Sequence, residues 1–483
     1  HKTTGTSNPL KTGKQIIIDS DVELKQLEFN NDYIFINTRS AGKHGRKPEF
    51  ISLSDGKETY TLNLYKLPAT SVKTALKGLP SLVGYDVKSS MKVLLELEVD
   101  LPVVHHDVLV GAFLLNSLLR EQTLTELAET DLNYHGSPFE DLDKDEYLTR
   151  VPEIMTVIQQ LYNQQLPEFK KVPKFPSLAK DVEWLVIPVL AEMEYLGIKL
   201  DTNYLEKFAD EVGDMISDYE QQIYGHADQE FNISSPSQLA DILFEKLQLP
   251  TKGIKKGKTG YSTAASELDK LRGTHPIIDL ITQYREVTKL KSTYIDPLPE
   301  QVDENSRLHT TYSLTQAQTG RLSSHDPNLQ NIPTRTDLGR RIRTAFKADK
   351  GKKLISADYS QFELRLAAAI ADETELIDMF NSDTDVHTMT AAQVYGREPE
   401  DVTKQMRRAA KAVNFGIMYG QGPHALAQST GMDFKSAKTF IDKYFEIRPK
   451  LKAFIQHTRE LAEKQGYVET MLGRRRPTPD AQS

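Results

Sequence analysis

Two cations and two aromatic residues recur at four-residue intervals late in the sequence, at Arg407, Lys411, Phe415 and Tyr419. Because an α-helix turns once in about 3.6 residues, positions four apart lie along one stripe of its surface. Cations on such a stripe can hold the phosphates of a nucleoside triphosphate, while the rings offer flat surfaces to its sugar and base. The alternative for this pattern in isolation is a surface helix whose rings pack into the core. A glycine at position 420 predicts the end of the helix.

A carboxylate that can bind a metal ion precedes this helix, at Asp358. The apolar run at 353–357 predicts a buried strand that ends at this residue, and the spacing over 361–370 predicts a helix after it. Phosphoryl transfer to a nucleotide uses divalent ions about 3.5 to 4 Å apart, which activate the attacking hydroxyl and neutralise the leaving pyrophosphate. Asp358 would ligate such ions, with the Tyr359 carbonyl oxygen as a second ligand. Taken alone, an aspartate after a strand is more often a turn or helix cap.

The charge of the chain is distributed unevenly. A formal net charge of -8 over 483 residues argues against a polyanionic partner only as an average. Basic residues cluster at 335–353, 404–411 and 474–476, beside the two motifs, which favours phosphate binding over a merely solvated surface. The absence of cysteine excludes disulfides, thiolate zinc sites and a cysteine nucleophile. No apolar run reaches the ~18 residues of a membrane-spanning helix, so we expect a cytoplasmic protein without a membrane partner.

Alternating and helical patterns in the first third of the chain predict an α/β domain. The strand-like runs form a small meander at 16–18, 33–37, 50–53 and 59–64, and helical spacing appears at 91–97, 108–119 and 154–166. The proline-marked segment 166–176 predicts the end of this domain.

A long helical region follows over 181–299. It is interrupted at 251–261 by a Gly- and Lys-rich stretch that has the composition of a mobile loop. Residues 234–237 resemble a capped helix start whose free N–H groups can bind an anion, although capping alone explains the pattern.

Two segments resemble the first two catalytic motifs of family A DNA polymerases. One begins with Asp358 and reads DYSQFELR, and the other begins with Arg407 and reads RRAAKAVNFG, followed by YG at 419–420. The resemblance continues through 319–324, 326–333 and 466–475 in the family's order, and it covers about 181–480.

The resemblance implies an α/β multidomain protein, in which an exonuclease-like (RNase H-like) α/β domain precedes a right-hand polymerase domain with a helical thumb, palm and fingers. Residues 1–14 would be a disordered or processed end, 15–176 the exonuclease-like domain and 177–483 the polymerase domain. Within the last, the thumb would occupy about 200–300, and the start of the palm and the fingers about 301–483. The implied reaction is template-directed attack of a primer 3′-hydroxyl on a deoxynucleoside triphosphate. The partners would be primer–template DNA and these triphosphates, and the protein would act as a monomer at the bacterial nucleoid.

The resemblance also implies roles for individual residues. Asp358 would bind two Mg2+ ions, which Mn2+ could replace, together with the Tyr359 carbonyl, and Arg407 and Lys411 would assist catalysis at the triphosphate. The incoming nucleotide would contact Tyr359, Gln361, Glu363, His387, Arg407, Lys411, Phe415 and Tyr419. Of these, Glu363 would exclude ribonucleotides, and a phenylalanine at 415 is associated with rejection of dideoxynucleotides. Primer–template DNA would contact Ser234, Ser237, Lys255, Lys258, Arg321, Gln330, Asn331 and Arg474.

The sequence departs from the family in its first domain. Where the family places three of its nuclease carboxylates, this chain has Ile36, Ser90 and Val151, which are unsuitable for a two-metal site. Proofreading is therefore predicted to be absent, which also opposes a nuclease function. A further departure is Phe362 in place of the usual isoleucine, which either alters the selectivity next to Glu363 or simply packs into the core.

The family's third motif, a His-Asp-Glu triplet, is not found before Ser483. We therefore expect that this chain alone does not extend a primer, because one carboxylate is a poor ligand set for two ions. Either the missing residues lie outside this sequence, so that the palm is cut short here, or a second polypeptide supplies them. The alternative function for the sequence as written is a primer–template-binding fragment without catalysis.

Overall fold

The computed structural model describes residues 10–258, 260–334, 336–382 and 384–482. Residues 1–9 of the predicted terminal segment, Thr259 of the Gly- and Lys-rich stretch and Arg335 of the first basic cluster lie outside these ranges. The described chain forms two compact units, one that ends at Leu354 and one that begins at Ile355. Within the described ranges, no helix combines the length and apolar character that a membrane span requires.

The first unit opens with a six-stranded sheet whose strand order is β1-β4-β3-β2-β5-β6. The strands are β1 (Lys14–Ile18), β2 (Tyr33–Ser40), β3 (Pro48–Ser54), β4 (Glu58–Asn63), β5 (Ser81–Gly84) and β6 (Val104–Asp107). Strands β2, β3 and β4 form the expected antiparallel meander. The prediction of a meander is wrong for β1, which pairs with β4 in parallel. Alternation of apolar and polar residues identifies a strand but does not determine which strand pairs with it.

Helices cover both faces of this sheet. They are α1 (Asp21–Leu24), α2 (Ala69–Ala75), α3 (Val87–Glu96), α4 (Val108–Leu115), α5 (Leu124–Leu132), α6 (Lys144–Lys171), α7 (Phe175–Leu178) and α8 (Trp184–Leu196). Alternate residues of β2 enter opposite cores: Ile36 packs with α3 and α8, whereas Phe35 packs with α5 and α6. Helix α6 continues through Pro167 to Lys171, and α8 still contributes Trp184 and Ile187 to the first core. The boundary at 176 stays a prediction.

The rest of the first unit is mainly helical. It contains β7 (Ile198–Leu200), α9 (Thr202–Ala227), α10 (Pro236–Ala240), β8 (Lys256–Gly257), β9 (Gly260–Tyr261), α11 (Ala265–Leu268), α12 (Pro276–Leu290), α13 (Pro297–Glu300), β10 (Arg307–Leu308), β11 (Thr311–Ser313), β12 (Ser323–His325), α14 (Asp337–Arg343) and β13 (Phe346–Lys347). The long helices α9 and α12 share two apolar clusters, and β7 lies between β10 and β13 in a small antiparallel sheet. The stretch at 251–261 contains the antiparallel pair β8 and β9.

The second unit is a helical cluster that ends in a short strand pair. Its elements are α15 (Phe362–Ala371), α16 (Thr374–Asn381), α17 (Val386–Tyr395), α18 (Lys404–Gly416), α19 (Pro423–Thr430), α20 (Phe434–Glu446), α21 (Pro449–Gln465), β14 (Tyr467–Glu469) and β15 (Arg475–Pro477). The side chain of Arg448 is fully buried among α16, α17 and α20, where Nη1 lies 2.9 Å from Glu375 Oε2 and Nη2 donates to Gln393 Oε1. This buried guanidinium ties three helices together.

The prediction of a buried strand at 353–357 is wrong. The segment lies outside regular secondary structure, and Leu354 and Ile355 are 57% and 90% exposed. A strand becomes stable when a neighbour takes its backbone hydrogen bonds and other elements cover its side chains. Among the residues that the structure describes, no strand pairs with this segment.

Candidate functional site

The predicted stripe lies on the exposed face of α18. Arg407, Lys411 and Phe415 are exposed, whereas Ala410 and Val413 on the opposite face are buried in the core of the second unit. Tyr419 follows in a one-turn 3-10 helix and is also exposed, before Gly420 ends the segment in a left-handed conformation. Two exposed rings contradict the alternative in which they pack into the core.

Asp385 joins the start of α17 to α18. Its carboxylate accepts hydrogen bonds from the backbone N–H of His387 and the hydroxyl of Thr388, and it lies 2.7 Å from Nε of Arg407. Burial by itself would raise the pKa of Asp385, but the hydrogen bonds from Arg407 and Thr388 outweigh it and hold the pKa well below its usual range. The ion pair therefore fixes the position of the Arg407 side chain relative to α17.

A buried hydrogen bond makes a second link between the same two helices. Nδ2 of Asn414 lies 3.0 Å from Nδ1 of His387, and both residues are almost fully buried. This buried contact joins the α17 ring to the α18 amide. Burial lowers the pKa of His387, and the charges of Arg407 and Lys411 lower it further against the opposing charge of Asp385. The ring is therefore neutral near pH 7.

The first motif brings its side chains to the start of α15. The hydroxyl of Tyr419 donates to Oε2 of Glu363 in the first turn of this helix, so the two motifs meet here. Gln361 adopts a left-handed conformation immediately before the helix. Phe362 is half-exposed with its ring centroid 5.1 Å from that of Tyr359, so the interpretation that it packs into the core is wrong.

Asp358 and Tyr359 are both exposed, and they offer a carboxylate and a carbonyl oxygen to solvent. Oxygen donors of this kind fit Mg2+, which proteins commonly bind through one or two carboxylates together with substrate phosphates. Within the described ranges, however, no group of three or more acidic or histidine side chains is arranged to hold a metal ion. The chemistry of these two oxygen donors thus fits a divalent ion. Asp358 and Tyr359 would supply only part of its ligands.

The residues predicted to contact DNA in the first unit are exposed and lie in loops and turns or, for Ser237, in the first turn of α10. Ser234 and Ser237 flank the start of α10, where Oγ of Ser235 accepts from the N–H of Gln238, which confirms the helix cap. Lys255 and Lys258 are exposed around β8.

Three further predicted residues belong to the segment around β12. Arg321 is exposed before β12, and Gln330 and Asn331 are exposed after it. Gln330 Nε2 lies 3.3 Å from the Leu322 carbonyl, and the Asn331 carbonyl accepts from Tyr294. Arg474, in the second unit, is half-buried in the turn between β14 and β15.

The three positions at which the resemblance places nuclease carboxylates are packed in or against the six-stranded sheet. Ile36 and Val151 are buried in apolar cores, and Oγ of Ser90 lies 3.3 Å from Oγ1 of Thr38. The amide oxygen of the neighbouring Asn37 accepts from Tyr147 of α6. Apolar and neutral groups therefore fill this part of the sheet.

Sequence reasoning missed Asp385 and Asn414. Aspartate is favoured immediately before the first residue of a helix, and this capping preference could have identified Asp385. Asn414 stands inside the second motif, but no local pattern predicts its contact with His387, which is 27 residues away.

A sequence model of DNA polymerase family A matches residues 202–483. The chain belongs to this family. It is 46% identical to a thermostable DNA polymerase I of Thermus caldophilus over 67% of this chain and 39% of that protein. It is 36% identical to the DNA polymerase I of Pseudomonas aeruginosa over the whole of this chain and 57% of that protein. The chain thus spans about two to three fifths of the length of these family A relatives.

A solved polymerase structure has a similar fold over nearly the whole chain. It is the POL domain of Pol1 from M. smegmatis, in complex with a DNA primer–template and a dNTP. The TM-score is 0.81 at 30% identity, over 93% of this chain and 78% of that one. This similarity confirms the α/β multidomain polymerase fold.

Proposed function

We propose that the protein containing this chain is a DNA-directed DNA polymerase, which adds deoxynucleotides to a primer 3′-hydroxyl under the direction of a template. The observation that carries the proposal is the exposed stripe of Arg407, Lys411 and Phe415 on α18, in a chain of the polymerase family. We further propose that the protein acts as a monomer in the bacterial cytoplasm, at the nucleoid.

The stripe provides each kind of contact that a nucleoside triphosphate needs. Arg407 and Lys411 carry the positive charge that would bind the phosphates, and Phe415 and Tyr419 present rings to the sugar and base. His387, whose ring centroid lies 5.7 Å from that of Phe415, would approach the incoming phosphates. Glu363, held by Tyr419, would stand against the 2′ position of the sugar.

Asp358 and the Tyr359 carbonyl would hold divalent ions, for which we propose two Mg2+, with Mn2+ as a substitute. When bound, such ions lower the pKa of the attacking hydroxyl and neutralise charge on the leaving pyrophosphate. The exposed position of both residues, directly before α15, supports this assignment.

The exposed cations and amides of the first unit would bind primer–template DNA. Lys255 and Lys258 would contact phosphates, a contact that is independent of sequence and weakens with salt. Arg321, Gln330 and Asn331 would reach the minor groove, whose acceptors are similar in all correct base pairs. Ser234, Ser237 and Arg474 complete the proposed DNA-binding set.

A labelled hairpin with a recessed 3′ end tests the function, with extension and binding measured on the same substrate. Template-dependent extension by the full-length protein is the expected result. Binding without extension would instead favour the alternative of a DNA-binding fragment, which the family comparisons do not favour. If the protein neither binds nor extends the hairpin, the proposal is refuted.

We expect no proofreading. When the hairpin carries a mismatched 3′ nucleotide and no dNTP is present, incubation with Mg2+ should leave its length unchanged, because Ile36, Ser90 and Val151 cannot form a two-metal site. The measurement is electrophoresis at single-nucleotide resolution. Asp358→Asn is the control, since it removes a proposed polymerase ligand and leaves the first domain intact. Metal-dependent shortening that persists in this variant would show that the first domain is a nuclease.

Asp385→Asn should weaken nucleotide binding with little change in stability. The variant keeps a side chain that can cap α17 but loses the charge that holds Arg407. We expect the KM for dNTP to rise about fivefold, which corresponds to roughly 1 kcal/mol, while the free energy of unfolding changes by less than about 1 kcal/mol because the ion pair is partly exposed.

The matched control is Asp433→Asn, since Asp433 caps α20 in the same unit through Ser436. This variant should leave the KM unchanged. Equal KM values for the Asp385 variant and the unaltered protein would show that the ion pair does not orient Arg407 for binding.

A further inference from the structure

Two lysines and one glutamate form a buried ionic cluster between the first sheet domain and the segment that contains β11. Glu194 of α8 has no exposed side-chain surface, and its two carboxylate oxygens lie 2.6 Å from Nζ of Lys88 and 2.5 Å from Nζ of Lys92. Both lysines belong to α3 and are themselves largely buried. Taking charged groups out of water is costly, and apolar residues of similar volume are often as stabilising. A role in positioning explains such a cluster better than stability does.

The same charges bind the main chain of β11. The N–H of Tyr312 donates to Oε1 of Glu194 at 2.7 Å, and Nζ of Lys88 donates to the Tyr312 carbonyl oxygen. Both backbone groups of one strand residue are therefore held by α3 and α8. A second attachment lies farther along the chain, where Nε2 of Gln318 donates to the carbonyl of Ser117, just after α4.

β11 is joined to the residues that we propose to contact DNA. It pairs with β12, and the hydroxyl of Thr310, next to β11, lies 2.7 Å from Oγ of Ser324 and 2.8 Å from the Pro327 carbonyl. Oγ of Ser324 in turn accepts from the N–H of Leu329. The segment that ends with Gln330 and Asn331 is thus connected by consecutive hydrogen bonds to the strand that the ionic cluster holds.

The helix that forms this cluster is also the helix that carries Ser90. Ser90 faces Thr38 of β2, while Lys88 and Lys92, two residues to either side, face Glu194. One face of α3 therefore packs on the sheet where the nuclease carboxylates are replaced, and the other holds β11.

We infer that the first domain has a positioning role in DNA binding: through Lys88, Lys92 and Glu194 it fixes β11, and thereby the 314–331 segment, in the conformation that receives primer–template DNA. This inference rests on the proposed function. Lys88, Lys92 and Glu194 act through Tyr312 and are positioning residues.

The test is Lys88→Met in the full-length protein, because it removes the bond to the Tyr312 carbonyl and leaves Lys92 and Glu194 as a balanced pair. We expect the Kd for primer–template DNA, measured by fluorescence anisotropy, to rise about tenfold. Amide hydrogen exchange at 311–331 should become faster, while α9 and α12 stay unchanged. The KM for dNTP at saturating DNA should not change.

Lys73→Met is the matched control, since Lys73 makes an exposed ion pair with Glu98 in the same domain. It should leave the Kd and the exchange unchanged. A second variant combines Lys88→Met and Lys92→Met with Glu194→Leu. It removes all three charges and both hydrogen bonds to the Tyr312 backbone, and it should weaken DNA binding at least as much as Lys88→Met alone.

A Kd within twofold of the unaltered protein in both variants would overturn the inference, even if their melting temperatures fell, since the cluster would then serve stability alone. Failure of the unaltered protein to bind primer–template DNA would be a different result. It would refute the proposed function, and the inference with it.

Discussion

Asp358→Asn is expected to reduce the rate of primer extension by the full-length protein at least about a thousandfold, which corresponds to roughly 4 kcal/mol of transition-state stabilisation. Asparagine keeps the size of the side chain and loses the charge with which this exposed residue would hold a divalent ion. Because the Asp358 side chain is exposed, the substitution should leave stability unaffected. Single-turnover extension and thermal unfolding measure the two effects.

The matched control is Asp378→Asn, an exposed aspartate on α16 in the same unit, which should extend primers at the unaltered rate. A readout that does not depend on catalysis is the binding of Mn2+ in the presence of DNA and dNTP, followed by electron paramagnetic resonance. Asp358→Asn should weaken this binding, and Asp378→Asn should not. Retention of a tenth or more of the extension rate would remove Asp358 from the proposed site.

Lys411→Met should raise the KM for dNTP about a hundredfold, while the affinity for primer–template DNA stays within twofold. Lys411 is exposed one turn after Arg407, and its ammonium group would bind a phosphate through charge-assisted hydrogen bonds worth roughly 1.5–3 kcal/mol. Methionine retains most of the length and helix propensity of lysine, so α18 should remain folded. Steady-state extension at varied dNTP concentration and anisotropy with labelled DNA separate the two affinities.

Lys438→Met on α20 is the control, because it removes an exposed lysine from another helix of the same unit. It should change neither the KM for dNTP nor the affinity for DNA. That result would exclude an effect of net charge alone. If Lys411→Met weakens DNA binding as much as nucleotide binding, this lysine contacts the template strand or the primer, and its assignment to the triphosphate is wrong.

The exposed stripe on α18 shows how much local pattern can determine. Four-residue spacing placed two cations and two rings on one face, and the structure exposes that face, because helix geometry depends only on neighbouring residues. The helix after Asp358 and the capped start at Ser235 follow from equally local rules. The motifs in turn identified the family to which the chain belongs.

The sequence alone therefore determined the strand-like runs of the first sheet, the helices that carry or follow the two motifs and the residues of those motifs, since periodicity and capping act within a few positions of the chain. Only the tertiary structure decided the parallel pairing of β1 with β4, the exposure of 353–357 and the contacts of Asp385 and Asn414 with residues 22 and 27 positions away. It also brought Glu194 to Lys88 across 106 positions. Pairing between distant segments depends on which surfaces the whole fold brings together, and no local pattern carries that information.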